Sequence, residues 1–392
     1  MASVPVNYQA IAQSGVAAWQ RGDAQAAYTA FDQVAQAGRA TPQLWLLLAQ
    51  AAQAVGDRGA CDGALDHVLK DDPRNAYALL MKGEVQTAHG DDRAAASWYG
   101  MAISSAALIA KLPPDLPPRL AAAQLRIDAA MLRFERHLVD QIAASGIDAA
   151  RDVPRLAQAI DIATGKRLRY LQQPTSFFYP GLPAVQFYDA GDFAWVSALE
   201  AAAPAMRAEV EAVLRAGDNI APYVQANSDR PTRGHALLND PDWSAFYLWQ
   251  NGALVPENAA RCPATVAALE AVPIPFITER SPMALYSVLR AKTHIPPHNG
   301  MLNTRLICHI PLIVPDHCRL RVGNETRSVT FGKAMIFNDA IEHEAWNDSD
   351  QTRVVLLFEI WRPELGEAER RALGVMYEAI NAYPAGSSAL SA

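Results

Sequence analysis

A Gly-Asp dipeptide that recurs at one fixed spacing constrains the fold of this chain more than any other feature. It occurs at Gly22-Asp23, Gly56-Asp57 and Gly90-Asp91, with 34 residues between successive copies. Glycine adopts the positive φ that ends a helix, and an aspartate side chain caps the helix that follows, so each pair indicates a turn between two helices. Periods of this length are typical of helical solenoids. We therefore predict stacked helix pairs at the front of the chain.

Two further sets of positions keep the same register. Small residues stand seven positions before each Gly-Asp, and large residues stand nine positions after its glycine: Gly15, Ala49 and Gly83, then Phe31, Leu65 and Tyr99. The small residues let two helices approach, and the large ones fill the groove between them. The pattern resembles the tetratricopeptide repeat, in three copies over about residues 7–108; the alternative is a plain helical bundle with accidental periodicity. Such repeats usually bind a peptide or protein, or they brace the domain behind them, and the sequence leaves both roles open.

A proline-rich segment ends this pattern. Residues 111–118, KLPPDLPP, hold four prolines within six positions, which no helix interior accommodates. Amphipathic stretches near 119–145 and 154–172 then predict linking helices. These features predict a repeat domain over 7–110 and a helical linker region over 111–173.

Composition narrows the functional classes. The chain has 392 residues, 51% of them hydrophobic, and a net charge of −7, and it has no Lys/Arg cluster that suits nucleic acid or an anionic membrane surface. Its four cysteines lack C-x-x-C spacing, which indicates neither a disulfide framework nor a zinc site. The N-terminus lacks the regions of a secretory signal, and no run of about 18 apolar residues is present. We therefore expect a soluble, cytoplasmic protein with no nucleic-acid or membrane partner.

The pattern changes to short alternating segments from about residue 174. Six segments read as strands, at 284–290, 305–314, 318–322, 326–331, 333–339 and 353–361. Helices are predicted over 192–216 and near 364–382. Short antiparallel strands joined by tight turns are typical of a sandwich or jelly roll, so we predict a β-rich domain over 174–385.

Four histidines fall in this region: His294, His298, His309 and His343. A metal site on such a fold needs neutral imidazoles that converge from different strands. His343 lies 45 residues after His298, and Arg353 follows ten residues later on the next predicted strand. In a double-stranded β-helix that offset places a guanidinium near the metal, where it can hold a carboxylate through two hydrogen bonds. Each residue alone fits an ordinary core or surface position, but the combination predicts a metal site.

Residues 283–365 resemble the catalytic core of the aspartyl/asparaginyl β-hydroxylase family, with weaker similarity back to about residue 174. The resemblance is carried by HIPPHNGMLNTRLICHIPL and by RVGNETRSVTFGKAMIFNDAIEHEAWNDSDQTRVVLLFEIWRPEL, at 294–312 and 321–365. FFYPGLP and FYLWQNGALVPENAARCPAT, at 177–183 and 246–265, add to it. It implies a double-stranded β-helix (jelly-roll, cupin-like) catalytic domain with flanking helices, Fe(II), and 2-oxoglutarate as cosubstrate.

The resemblance also implies roles for individual residues. His298 and His343 would bind iron, and Arg353 with Ser287 would hold the distal carboxylate of 2-oxoglutarate. His309 would lie beside the carboxylate nearer the metal, and Arg305 would face the pocket and take a carboxylate of the substrate or cosubstrate.

Two departures from related sequences matter. Most oxygenases of this class carry Asp or Glu two residues after the first histidine, whereas this chain has Gly300, as in the two-histidine arrangement of the family. If a carboxylate of Asp339, Glu342 or Glu344 lay within coordination distance, the iron would have more than two protein ligands. Relatives often carry Arg two residues before the position of His309, where this chain has Ile307, which calls an Asp substrate into question.

The resemblance implies hydroxylation of a C–H bond coupled to conversion of 2-oxoglutarate to succinate, at the β-carbon of an Asp or Asn residue. The repeats favour a peptide or protein substrate. Lipid hydroxylation, known from a sister branch, is less favoured because the chain lacks membrane segments. Two alternatives remain: a catalytically inactive adaptor of repeats and jelly roll, and a cupin-like metalloenzyme such as an isomerase, which would not need Arg353.

Overall fold

The computed structural model describes residues 6–226 and 236–383. The chain divides into two compact units, Met1–Arg167 and Leu168–Ala392. The helices that follow the repeats belong to the first unit. The finer limits at 7–110, 111–173 and 174–385 stay predictions, and residues 384–385 lie outside the described residues.

The first unit is helical. Its helices are α1 Tyr8–Gln20, α2 Ala24–Gln36, α3 Pro42–Val55, α4 Arg58–Asp71, α5 Ala76–His89, α6 Asp92–Ala106, α7 Leu116–Ala144, α8 Ala149–Asp152 and α9 Pro154–Ala163. Each Gly-Asp lies between the two helices of a pair, and all three of its glycines have positive φ. Its aspartate caps the second helix; for example, Asp57 Oδ1 accepts from Ala60 N at 2.9 Å. The predicted helical repeats are confirmed.

Close packing explains why small and large residues alternate in register. A Cβ on Gly83 would lie 2.4 Å from the Tyr99 ring, and one on Gly15 would lie 2.7 Å from the ring of Phe31. In the middle repeat, Ala49 and Leu65 belong to one buried cluster. An aromatic partner therefore requires glycine, whereas the smaller leucine leaves room for alanine.

The helices after the repeats differ from the prediction at their ends. Helix α7 begins at Leu116, three residues before the predicted start, with prolines in its first turn, where the missing N–H costs no hydrogen bond. Helix α9 ends at Ala163, so the predicted helix over 154–172 was wrong after that residue. Gly165 follows with φ of 78°, a conformation that stops a helix.

The second unit is rich in strands. They are β1 Phe187–Tyr188, β2 Ala221–Pro222, β3 Trp243–Gln250, β4 Ala253–Leu254, β5 Ala284–Leu289, β6 Thr293–His298, β7 Arg305–Ile313, β8 Cys318–Val322, β9 Glu325–Ser328, β10 Met335–Phe337, β11 His343–Asn347 and β12 Arg353–Trp361. Its helices are α10 Val196–Ala201, α11 Ala203–Ala216, α12 Pro256–Arg261, α13 Pro263–Leu269 and α14 Glu367–Ala382. The predicted helix 192–216 is thus divided in two, with Pro204 in the first turn of α11.

In the described part of the chain these strands form two antiparallel sheets. The larger runs β1-β10-β7-β12-β5-β3-β2, with β4 beside β3, and the smaller runs β6-β11-β8-β9. Apolar side chains of both sheets share one buried cluster, while helices α10 and α11 pack on the other face of the larger sheet. The predicted antiparallel β-rich domain is confirmed. Within 6–226 and 236–383, no helix is long and apolar enough to cross a membrane.

Six of the described strands escaped the prediction: the two-residue strands β1, β2 and β4, and the longer strands β3, β6 and β11. Strand β3 is almost entirely buried, so its sequence WSAFYLWQ lacks alternation. Strand β6 contains two prolines, which an edge strand tolerates, and β6 is at the edge of the smaller sheet. The histidines His298 and His343 end and begin two of these strands.

Candidate functional site

His298 and His343 lie directly opposite each other on strands β6 and β11. Their ring centroids are 4.1 Å apart. The Nδ1 atom of His298 is 2.8 Å from the carbonyl oxygen of Pro296, and that of His343 is 3.1 Å from the carbonyl oxygen of Ile341. With Nδ1–H donating to a carbonyl, the Nε2 atom of each ring carries the lone pair. This tautomer is the one that binds a metal through Nε2.

The surroundings keep His343 neutral. Burial lowers its pKa well below the usual value, and the neighbouring ring of His298 lowers it further. A neutral imidazole is the form that binds a metal ion, so the pair fits one. Among the residues that the structure describes, no group of three or more His, Cys, Asp or Glu side chains is arranged to hold a metal. The ligand roles of both histidines stay predictions.

The two glutamates beside His343 in the sequence, Glu342 and Glu344, form ion pairs away from the histidine pair. Arg321 forms ion pairs with Glu342 and Glu344, and His294 Nε2 is 2.8 Å from Glu344 Oε2. Because neighbours along a strand point to opposite faces, Glu344 lies on the outer face of the smaller sheet while His343 points inward. His294 therefore belongs to a surface network and not to the histidine pair.

Asp339, in contrast, is buried beside Gly300. The amide of Gly300 donates to the Asp339 carbonyl at 2.6 Å, and a Cβ on Gly300 would lie 1.9 Å from Asp339 Oδ2. Burial raises the pKa of Asp339 to about 6, although Arg305 nearby opposes the shift. The carboxylate fills the space that a side chain at residue 300 would need.

Arg353 begins strand β12 and is only 1% exposed. Its Nε and Nη1 atoms are buried and have no hydrogen-bond partner within 6–226 and 236–383. Burial lowers its pKa to about 10, so the guanidinium still carries its charge at neutral pH. A buried charge without a counter-ion is unfavourable, and the position suits an anionic ligand.

Ser287 and His309 share a face of the larger sheet with Arg353. Ser287 lies opposite Val355, two residues along β12 from Arg353, and His309 lies opposite Leu357. Ser287 Oγ accepts from Trp243 Nε1 at 3.1 Å. Burial, with Arg353 as second cause, lowers the pKa of His309 to about 3. The structure thus brings together the three predicted cosubstrate residues, whose roles stay predictions.

Arg305 lies apart from Arg353, at the opposite end of the same strand pair. It forms an ion pair with Glu359, and its Nη2 atom is 3.6 Å from Asp339 Oδ2. Its predicted carboxylate-binding role is untested, but two carboxylates of the chain already face it. Ile307 is buried in the cluster between the sheets.

Two aromatic residues that the sequence analysis did not select border the site. The Trp243 ring is 6.0 Å from that of His298 and stacks on Tyr223 at 4.3 Å. The Phe337 ring is 5.0 Å from His309 and 5.6 Å from His343. The local sequence gives no signal for either role, because both depend on which strands pair.

Comparisons with known proteins show which family the second unit resembles. Residues 200–363 match the family model of aspartyl/asparaginyl beta-hydroxylase. The ornithine lipid ester-linked acyl 2-hydroxylase of Rhizobium tropici is 37% identical over 45% of this chain and 60% of its own length. The human aspartyl/asparaginyl beta-hydroxylase is 40% identical over 35% of this chain and 18% of its own length. The chain thus spans less than two thirds of either relative.

Among solved structures, the Sgt2 TPR domain from Aspergillus fumigatus aligns with 19% identity and a TM-score of 0.28, over 32% of this chain and 83% of that one. This likeness is too weak to assign a fold. The helical repeat is assigned instead from the helix pairs α1–α2, α3–α4 and α5–α6 of this chain. For the second unit, the family model covers every predicted site residue, and the resemblance drawn from the sequence is confirmed. Residues 200–363 of this chain are thus similar to the aspartyl/asparaginyl β-hydroxylase family over the whole of the matched segment.

Proposed function

We propose that this protein is an Fe(II)- and 2-oxoglutarate-dependent dioxygenase that hydroxylates a C–H bond. The observation that carries the proposal is the buried Arg353 guanidinium, without a hydrogen-bond partner in the described residues at Nε and Nη1. It lies on the inner face of the larger sheet, and the facing pair His298 and His343 belongs to the smaller sheet. An anionic cosubstrate and a metal ion would complete these two arrangements. The relatives named above are hydroxylases by their names.

We also propose that the two sheets form a double-stranded β-helix. From β5 to β12 the chain alternates between the sheets, except that β8 and β9 are neighbours in the smaller one. The central orders β10-β7-β12-β5 and β6-β11-β8-β9 support a jelly roll, in which eight strands form two facing sheets. In this proposal the inner faces of β6, β7, β11 and β12 surround one site.

In this proposal His298 and His343 hold the iron, which when bound supplies the oxygen chemistry that couples C–H hydroxylation to decarboxylation of 2-oxoglutarate. Arg353 makes paired, charge-assisted hydrogen bonds with the distal carboxylate of 2-oxoglutarate. The Ser287 hydroxyl accepts from Trp243, so its own proton is available to that carboxylate. Neutral His309 lies beside the second carboxylate. The apolar cluster around them excludes water.

The substrate proposed from the family is an Asp or Asn residue of a peptide or protein, hydroxylated at the β-carbon. The helical repeats support a polypeptide substrate, because such repeats commonly bind peptides. A second candidate is an acyl chain, which is favoured by the printed activity of the Rhizobium tropici relative.

The test is succinate formation by the full chain from 2-oxoglutarate with Fe(II), beside a His298→Ala/His343→Ala control. We expect succinate from the wild type and none from the double variant. Its absence under all conditions, with metal still bound, would favour a cupin-like enzyme of another reaction type. Absence of both metal binding and succinate would favour the inactive adaptor.

A further inference from the structure

The charges around Arg305 form a closed cluster at one end of the inner face. Arg305 pairs with Glu359 and lies near Asp339, and the three side chains are 13%, 3% and 6% exposed. Glu359 is held in place, because it also accepts from Ser281 Oγ and from Met283 N at 3.1 Å. One guanidinium thus faces two carboxylates, and an incoming carboxylate would meet no excess of positive charge.

The two cations of this face are also well separated along the strands. Ile307 lies between Arg305 and His309 on β7, and Leu357 lies between Glu359 and Arg353 on β12, because alternate residues share a face. Both apolar side chains are buried in the cluster between the sheets. Arg353 therefore serves one end of the site, and Arg305 with its two carboxylates defines the other.

This second end retains one hydrogen-bond donor and one acceptor. Arg305 Nε and Asp339 Oδ1 are both buried and have no partner in the described part of the chain. A carboxamide offers a carbonyl acceptor and an NH₂ donor, the two kinds of group that these atoms lack. A carboxylate can only accept, and it would set a like charge against Asp339 and Glu359, which is strongly unfavourable in a buried site.

We infer that the group beside the hydroxylated carbon is a neutral carboxamide, so that the substrate residue is Asn and not Asp. The inference rests on the proposed hydroxylase function and narrows its substrate. It depends on the ion pair and the two unpaired atoms at this end of the site, and on the apolar side chains that separate this end from Arg353.

The first experiment compares two peptide libraries that differ only in a fixed central Asn or Asp between randomised residues. The full chain with Fe(II) and 2-oxoglutarate is incubated with each, and mass spectrometry detects one added oxygen. We expect oxidation of the Asn library to exceed that of the Asp library by about tenfold or more. Equal oxidation, or a preference for Asp, would overturn the inference while leaving the hydroxylase proposal intact.

A binding measurement with Mn(II) in place of iron gives a readout independent of turnover. Peptides enriched from the Asn library should bind at least about tenfold more tightly than their Asp counterparts. If neither library binds or is oxidised, although succinate forms or an acyl substrate is hydroxylated, the carboxamide inference is wrong and the proposed enzyme class stands. If no succinate forms under any condition, the enzyme class itself fails.

The variant Glu359→Gln tests the charge argument directly. It keeps an acceptor for Ser281 but removes one negative charge, so binding of the Asp peptides should improve relative to the Asn peptides. The matched control is Glu364→Gln, which changes another arginine-paired glutamate, the partner of Arg362, and should leave the ratio unchanged. An unchanged ratio in Glu359→Gln, with thermal unfolding like the wild type, would overturn the inference.

Discussion

The carboxylate of Asp339 occupies the space beside Gly300, where a Cβ would approach its Oδ2 atom to 1.9 Å. In most non-haem iron oxygenases with a double-stranded β-helix, the residue two positions after the first histidine provides a carboxylate ligand. In this chain that position carries no side chain, and a carboxylate from a residue 39 positions later fills the place. A side chain at residue 300 is therefore expected to require a smaller residue at position 339.

The first prediction follows from this expectation. Gly300→Asp should destabilise the second unit by about 1–3 kcal/mol, because the added side chain overpacks a buried site and confronts Asp339 with a like charge. Thermal unfolding measures the effect. The double variant Gly300→Asp/Asp339→Ala should recover most of the loss, since it removes the competing carboxylate. Additive losses in the double variant would show that the two positions act independently.

The second prediction concerns the histidine pair. His298→Ala and His343→Ala should each abolish tight binding of Fe(II) or Mn(II), because two imidazoles are the proposed protein ligands. Metal titration by calorimetry checks this. His294→Ala is the control, since His294 contacts Glu344 and Trp346 and should leave metal affinity unchanged. Wild-type affinity in both single variants would place the metal elsewhere.

The third prediction concerns Arg353. Arg353→Ala should weaken 2-oxoglutarate binding by roughly 30-fold to several-thousand-fold, the equivalent of losing a buried charge pair worth about 2–5 kcal/mol. The variant Arg353→Lys should retain only part of the 2-oxoglutarate affinity, because an ammonium group keeps the charge but lacks the paired donors of a guanidinium. Titration of 2-oxoglutarate in a succinate assay, beside metal binding, measures both effects. An unchanged half-saturation would make Arg305 the next candidate.

The fourth prediction tests the repeat packing. Gly83→Ala should destabilise the helical unit by about 1–3 kcal/mol through contact with Tyr99. Gly100→Ala is the matched control, because a Cβ on that helical glycine meets no atom within 4 Å, and it should be neutral or stabilising. Gly83→Ala/Tyr99→Leu recreates the middle repeat and should regain stability. If both alanine variants behave alike in thermal unfolding, the close approach is not limiting.

The fifth prediction concerns pH. The pKa of His309 is about 3 in the folded protein, against an ordinary histidine pKa of 6.5. Between these values the unfolded chain binds a proton that the folded chain does not, so stability is lost as the pH falls through this window. In metal-free protein, His309→Gln should reduce that loss by at most about 1.4 kcal/mol per pH unit. Asp339, whose raised pKa acts in the opposite sense, is present in both proteins. The measurement is the free energy of unfolding against pH for the wild type and His309→Gln. Curves that run parallel between pH 3 and 6.5 would contradict the prediction.

The sequence alone determined the features that depend on neighbours along the chain. The 34-residue period predicted the helix pairs, since a glycine turn and an aspartate cap act within one turn of helix. Alternation predicted strands such as β7 and β12, because side chains of a strand alternate between faces. The resemblance to a family supplied the candidate residues from His298 to Arg353, together with their expected roles.

Only the tertiary structure decided how those residues meet. His294 and His298 lie on one strand, and the sequence does not distinguish them. Strand pairing places His298 opposite His343, whereas His294 contacts Glu344. Pairing across 54 residues placed Glu359 against Arg305, and the turn after β10 placed Asp339 beside Gly300. The charge and hydrogen bonding of a buried group depend on the groups that surround it in space. A local pattern records only the neighbours along the chain, so it could identify the candidates but not the charge that each one meets.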